Sequence, residues 1–330
     1  MTGWASSEPA RPAATLSLDL DDLWCYQRSF GLAVWRDYGS ILDLAVPRIL
    51  DLLEGLGLQL TLFVIGKDAA QAVHKSILAE AARRGHEIAN HSYGHDMALH
   101  RWPREKIRGD VEQAADAIEA ASGQRPQGFR GPAYGLSTTL LDVLGELGYA
   151  YDASSFSSAL GFLSRLYHRR QASRFGGQAQ ESEGLYGSAR DARRPLTPYR
   201  WQLEGREIVE VPVTTLPFLR LPFHGTYLHF LGDRSVTAAN GYFSSALSLC
   251  RLRGVPPSFL LHATDFIGSD DVPELAFLPG MKRPGAAKAA FMASILRKYS
   301  RSFEVQPIGS FVAALRSSQE LTRLRPVFGE

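Results

Sequence analysis

Thr15-Leu16-Ser17-Leu18-Asp19-Leu20-Asp21-Asp22 is the stretch on which the reading of this chain turns. Apolar and polar residues alternate from Thr15 to Leu20, the two-residue period of a strand, and the run ends in carboxylates. Outward from it the pattern changes to helices and back. A helix over residues 41–56 has Pro47 as its one awkward member, a strand over 60–65 is stopped by Gly66, and a helix over 68–84 is closed by Gly85. Next come a short strand at 87–89, a helix at 104–122, a strand at 128–130, a helix at 138–147 capped by Ser137 and a strand at 149–151. Strands alternating with helices, without a long antiparallel run, predict an α/β fold with a mostly parallel sheet, closed as a distorted (β/α) barrel.

The rhythm breaks between about residues 156 and 201, where Gly, Ser, Arg and Gln dominate, and resumes with a strand at 207–213, a helix at 236–253, a strand at 258–261 and a helix at 286–299. A strand and helix near 303–315 close the pattern. A chain of 330 residues is long enough for two ordinary domains or one large barrel. The expected division is a tail at 1–14, one barrel at 15–315 carrying an Arg- and aromatic-rich insertion at 156–225, and a tail at 316–330.

Thirty-six Lys and Arg against 34 Asp and Glu leave a net charge of +2, too balanced for a chain whose main partner is a nucleic-acid backbone. Cys25 and Cys250 form no CxxC pair, so both read as reduced, core-like thiols and not as a cysteine-based zinc site. Residues 1–14 show neither a basic region nor a continuous apolar run, and no segment approaches ~18 apolar residues, so a cytoplasmic chain with at most peripheral membrane contact is expected.

The candidate chemistry lies at strand ends. Adjacent carboxylates at 19–22 repel one another unless a cation or a proton compensates, although acidic residues also mark ordinary turns and helix starts. His91-Ser92-Tyr93-Gly94-His95 places two imidazoles at i and i+4, on one face of a helical turn, where both can reach a single ion; a pair of partly exposed polar histidines is the bland alternative. Phe129-Arg130-Gly131-Pro132-Ala133-Tyr134 continues a strand into a proline-fixed loop, Asp152 stands at the end of another strand, and His262 ends the apolar run Phe259-Leu260-Leu261. A lone histidine closing a buried strand is usually a core residue. Polar groups at the ends of five parallel strands are what a barrel active site looks like.

Strand-Asp-Asp, His-Ser-x-x-His, Arg-x-Pro, Tyr-Asp-x-Ser and Leu-x-His, in that order, resemble the polysaccharide deacetylases, the NodB-homology fold of carbohydrate esterase family 4. The resemblance covers about residues 15–152 and 258–265. It implies that Asp21 is the catalytic base, that Asp22, His91 and His95 hold a divalent metal, and that Arg130 pairs with Asp21. It further implies that Asp152 tunes His262, the general acid, and that the Ala133 amide, with Tyr134 beside it, receives the oxyanion. Two imidazoles and one carboxylate put zinc first among the metals. Asp19 stands outside this scheme, two residues before Asp21 and on the same side if the alternation continues. The Trp that often comes after the Asp-x-x-Ser motif is missing.

The function this resemblance implies is hydrolysis of an N-acetyl group from an amino sugar of a saccharide or a lipid-linked glycan. Hydrolysis of another C–N bond, in a formamide or a cyclic amide, and a non-catalytic carbohydrate-binding member are the alternatives. Phe156, Leu160, Leu163 and Tyr167 fall at helical spacing beside Arg165, Arg169 and Arg170, and residues 216–224 add a proline-broken aromatic stretch. This suits an anionic membrane or a lipid-phosphate carrier, or equally an ordinary amphipathic helix with a solvated basic loop.

Overall fold

The computed structural model describes residues 10–30, 39–160, 170, 193–278, 280–318 and 321–328. Strand β1 (Ala13–Leu20) lies inside the sheet because its alternation serves two sides. Leu16, Leu18 and Leu20 are wholly buried in the main apolar cluster, while the intervening Ser17 and Asp19 both meet Arg130. Each such leucine contributes about 1.5–3 kcal/mol by leaving water.

β1 pairs in parallel with β2 (Thr61–Val64), β8 (Ser258–His262) and β9 (Glu304–Gln306). From β2 the sheet continues in parallel through β3 (Glu87–Asn90), β4 (Gly128–Phe129), β5 (Tyr151–Asp152) and β7 (Arg206–Glu210). β6 (Tyr199–Leu203) then pairs antiparallel with β7, and β10 (Arg323–Leu324) forms the edge. Beyond β7 the chain turns back towards the far side of the sheet: Thr214 N donates to Ser258 O (3.2 Å) and Ser258 N to Thr214 Oγ1 (2.8 Å). The fold is the expected α/β architecture with a mostly parallel sheet. Its antiparallel hairpin is a departure, made where Gly205 adopts φ 68 and Tyr199 and Trp201 bury against Ile208.

The helices are α1 (Leu23–Phe30), α2 (Leu42–Leu56), α3 (Gly66–Ala69), α4 (Ala72–Arg83), α5 (Arg104–Ser122), α6 (Thr138–Glu146), α7 (Gly225–Gly232), α8 (Val236–Leu252), α9 (Gly285–Ser302) and α10 (Ile308–Ser318). The single helix expected over 68–84 is two, because Gln71 is extended (φ −76, ψ 131). Gly66 does more than stop β2. A Cβ there would fall 2.6 Å from Ala114 Cα, so glycine lets α3 lie directly on α5.

One end of the sheet is filled. Thr61 Oγ1 donates to Glu87 Oε2 (2.6 Å) and accepts from Ile308 N (2.8 Å), while Glu87 Oε2 also accepts from Gly309 N (2.8 Å). A carboxylate thus sits at the N-terminus of α10, where the helix dipole favours it. Ile308, Phe311 and Val312 pack beside Phe63, Ala89 and Tyr151. The polar residues are left to the opposite, C-terminal ends of the strands. No helix among the described residues is long and apolar enough to cross a membrane.

Candidate active site

β3 delivers His91 to the C-terminal end of the sheet, and side chains fold the loop after it back over this end. Asn90 Oδ1 accepts from Ser92 N (2.8 Å), Asp110 of α5 accepts from Tyr93 N (2.8 Å) and Gly94 N (3.2 Å), and Ser92 Oγ accepts from His95 N (3.0 Å). Ser92 and His95 are left-handed (φ 65 and 46), a strain of about 1–3 kcal/mol each that these bonds hold in place. The two imidazoles therefore meet, with ring centroids 5.1 Å apart, on a folded loop and not on the helical turn that their spacing suggests.

His91 Nδ1 lies 2.7 Å from Arg130 O. A carbonyl only accepts, so Nδ1 carries the proton and Nε2 is left facing Asp21. Asp21 Oδ1 stands 3.6 Å from His91 Nε2 and 3.2 Å from His95 Nε2, and among the described residues this buried oxygen has no hydrogen-bond partner. Burial pushes the Asp21 carboxyl up, but His95 and His91 together outweigh it and hold it well below the usual range. Burial likewise pulls His91 down, and Asp21 and Asp19 reverse it. Both directions describe a pocket that wants positive charge beside Asp21. Two imidazole nitrogens and an ionised carboxylate converging on one point fit a divalent cation.

Next to this cluster the parallel register of β1 and β8 sets Asp19 against His262. Arg130 is fully buried; its Nη1 donates to Asp19 Oδ1 (2.6 Å) and to Ser17 Oγ (3.1 Å), its Nε to Ala153 O (2.9 Å), and its guanidinium lies 4.0 Å above the Phe63 ring. His262 Nε2 is 4.0 Å from Asp19 Oδ2. At the other edge of that ring, Nδ1 is 3.2 Å from Thr226 Oγ1, which donates its only proton to Asp265 Oδ1 (3.0 Å). Thr226 must then accept from His262 Nδ1–H, which leaves Nε2 as the working nitrogen.

Residues 32–151 match the family model described as polysaccharide deacetylase, a span that contains the histidine loop and Arg130. Over that span, about a third of its length, the chain is similar to the polysaccharide deacetylases. No curated protein matches the sequence. Among solved structures, a Mycobacterium smegmatis protein described as a polysaccharide deacetylase is 19% identical, with 98% of this chain and 97% of that one covered at a TM-score of 0.56, which shows the shared fold. Also similar are an acetyl xylan esterase of Clostridium thermocellum solved with a cobalt ion (16% identical, 95% and 98% covered, TM-score 0.44) and a pseudoenzyme of carbohydrate esterase family 4 from Bacillus anthracis (11%, 92% and 66%, TM-score 0.46).

The structure rearranges the pairings that the motifs imply. Arg130 binds Asp19 and not Asp21: Ser17 and Asp19 lie within β1 on the face that Arg130 meets, whereas the strand and its alternation end at Leu20, before Asp21. Asp21 faces His91 and His95. Asp22 does not reach the imidazoles: its Oδ1 accepts from Leu23 N (2.7 Å) and Ile41 N (2.9 Å), tying the start of α1 to the residue that opens α2. Asp152 does not reach His262 either; its oxygens accept from Ser154 N (3.0 Å) and Ser154 Oγ (2.7 Å), and Glu210 is its register partner. Burial pushes both acids up, and the Asp152 charge adds to the rise of Glu210, which keeps the proton of the pair. Ser154 Oγ in turn accepts from Gly131 N (2.8 Å), so Asp152 fixes the loop that carries Ala133. Ala133 and Tyr134 are left-handed (φ 51 and 61), and the turn bonds from Tyr134 N to Gly131 O and from Gly135 N to Pro132 O do not use the Ala133 amide.

Several residues that the sequence did not assign to the site lie at it. Phe156, expected in the apolar stripe, lies with its ring 4.9 Å from Tyr134 and 6.0 Å from His224, which lies 6.1 Å from His262. Burial pulls His224 down to about 3, so this wall stays neutral. Trp24 stands edge-on to His95 (6.3 Å) and donates from Nε1 to Asp68 Oδ1 (2.8 Å). Burial, then the Asp22 charge, raises Asp68 to about 7. Cys25, expected in the core like Cys250, is buried at the site, its sulfur grouped with Asp21 and His95. Of the insertion, residues 161–169 and 171–192 lie outside the described residues, and with them most of the expected Arg-flanked stripe. The 216–224 stretch is described: Leu216 and Phe223 are buried, while Phe218 and Leu219 are 68% and 62% exposed beside Arg253.

Proposed function

We propose that this chain is a metal-dependent hydrolase that removes an N-acetyl group from an amino sugar of a saccharide or a lipid-linked glycan. The observation that carries the reading is Asp19, held by Arg130 on one side, facing His262 on the other, and adjoining the Asp21, His91 and His95 cluster.

Asp21, His91 and His95 would hold the metal, with zinc the first candidate from the donor set. When bound, it supplies Lewis-acid polarisation of the acyl carbonyl and lowers the pKa of a coordinated water. The remaining roles belong to the chain. Arg130 fixes Asp19 through Oδ1, so Oδ2 is the oxygen turned to take the proton of the attacking water. The Ala133 amide, presented by a strained turn, donates to the oxyanion as charge develops there. His262, oriented through Nδ1 by Thr226, delivers a proton from Nε2 to the departing amine, and a free amino sugar and acetate separate. Tyr134 and Phe156 offer apolar faces of the kind on which sugar rings stack.

The test is product analysis with the metal-loaded protein on soluble and lipid-linked N-acetylhexosamines. Acetate release that chelation abolishes supports the reading. Formate or a ring-opened acid instead moves the chain to hydrolysis of another C–N bond. Saccharide binding without turnover makes it a non-catalytic carbohydrate-binding member.

A further inference from the structure

We infer that Cys25 is a fourth protein ligand of the same cation, a thiolate donor that biases the site towards thiophilic metals; this rests on the metal site of the proposed function. The oxygen of Asp21, the sulfur of Cys25 and a nitrogen of His95 all lie within 4.8 Å of one another. Cys25 is 2% exposed, and Asp21 beside it carries a buried oxygen, Oδ1, that no hydrogen bond satisfies among the described residues. The sulfur therefore sits with the carboxylate and the His95 imidazole, and His91 Nε2 approaches the same carboxylate at 3.6 Å.

The position is fixed from both sides. Cys25 N donates to Asp22 O (3.0 Å), Asp22 itself accepts from Leu23 N and Ile41 N, and the neighbouring Trp24 is pinned through Nε1 to Asp68. The first turn of α1 thus presents Cys25 to the site and the Trp24 ring to His95. Cys250, by contrast, is buried within the main apolar cluster. A simple core thiol needs none of the groups that surround Cys25.

On binding, the thiol gives its proton to solvent and the sulfur lone pair to the ion. Two imidazoles, a carboxylate and a thiolate are a softer set than the two imidazoles and carboxylate alone, and thiolates select zinc and cadmium over manganese and magnesium. Zinc accepts a fifth ligand during catalysis, so a thiolate is compatible with a reactive water.

The experiment titrates Co2+ into the full-length, metal-free protein and monitors its absorption. Visible ligand-field bands report occupancy, and a near-ultraviolet charge-transfer band reports sulfur. The expected result is both bands in the wild type and in Cys250→Ser, and the visible bands alone in Cys25→Ser. Competition between Cd2+ and Mn2+ should shift by about 10- to 100-fold towards Mn2+ in Cys25→Ser, the range that loss of even an indirect metal partner produces. Visible bands without charge transfer in the wild type overturn the inference and leave the metal site standing. Charge transfer that persists in Cys25→Ser and vanishes in Cys250→Ser also overturns it. Absence of both bands overturns the metal site, and the inference with it.

Discussion

Asp19 and His262 are register partners on adjacent parallel strands, and Asp19 Oδ2 lies 4.0 Å from His262 Nε2. The sheet itself, and not a mobile loop, therefore sets the distance between the proposed base and the proposed acid. Asp21, two residues on, serves a different purpose, and the two carboxylates should separate on substitution. Asp19→Asn is expected to lose activity by about a hundredfold to ten-thousandfold while keeping its metal. Asp21→Asn is expected to lose the metal. Metal content by mass spectrometry beside kcat/KM checks both; an Asp19→Asn protein with full activity would return the base to Asp21.

Asp22 belongs to the architecture. Its Oδ1 satisfies two backbone amides from separate parts of the chain, and the residue is 4% exposed. Asp22→Ala leaves both donors without that acceptor and should cost about 1–3 kcal/mol, read as a lower urea midpoint. Asp22→Asn keeps an accepting oxygen and should retain both metal and most of the stability. Loss of metal in Asp22→Asn at unchanged stability would make it a ligand after all.

The alternation of Thr15 to Leu20 already contained the assignment of Asp19. Ser17 and Asp19 share a face by the period of the strand, and Arg130 can meet only that face. The motif pattern points instead to the adjacent pair Asp21-Asp22, because adjacent carboxylates are the more conspicuous feature. The parallel sheet and the strand-end placement of His91, Arg130 and His262 were legible for the same reason that the fold is: periodicity reports local geometry. The partners of Asp152 and His262 were not, because Glu210 and Thr226 come from elements brought up by tertiary packing. Cys25 was hidden likewise: nothing in its spacing distinguishes a thiol on the inward side of a short helix from one in a core.

Thr226 should act on His262 through position alone. It accepts from Nδ1–H because its own proton goes to Asp265, and this fixes which nitrogen faces Asp19. Thr226→Val removes that acceptor and lets the tautomers mix. The expected outcome is a lower kcat at unchanged KM, with the shape of the pH–rate profile altered, and rescue by Thr226→Ser. Equal loss in Val and Ser at an unchanged pH profile would point to a packing role.

Asp68 makes stability depend on pH in an unusual direction. Burial, reinforced by the charges of Asp22 and Asp21, raises its carboxyl from 3.8 to about 7 in the folded protein. The unfolded chain releases this proton near pH 4, so between about pH 4 and 7 the folded state binds the extra proton. Its contribution is present below that window and is lost as pH rises through it, by at most about 4 kcal/mol. Asn at this position still accepts from Trp24 and cannot ionise. Asp68→Asn should therefore show a stability that falls less steeply from pH 4 to 7, and should exceed the wild type most clearly above pH 7. Urea midpoints for the two proteins across this range measure the difference directly; parallel curves would mean that Asp68 is already ionised in the fold, balanced by a cation held at Asp21.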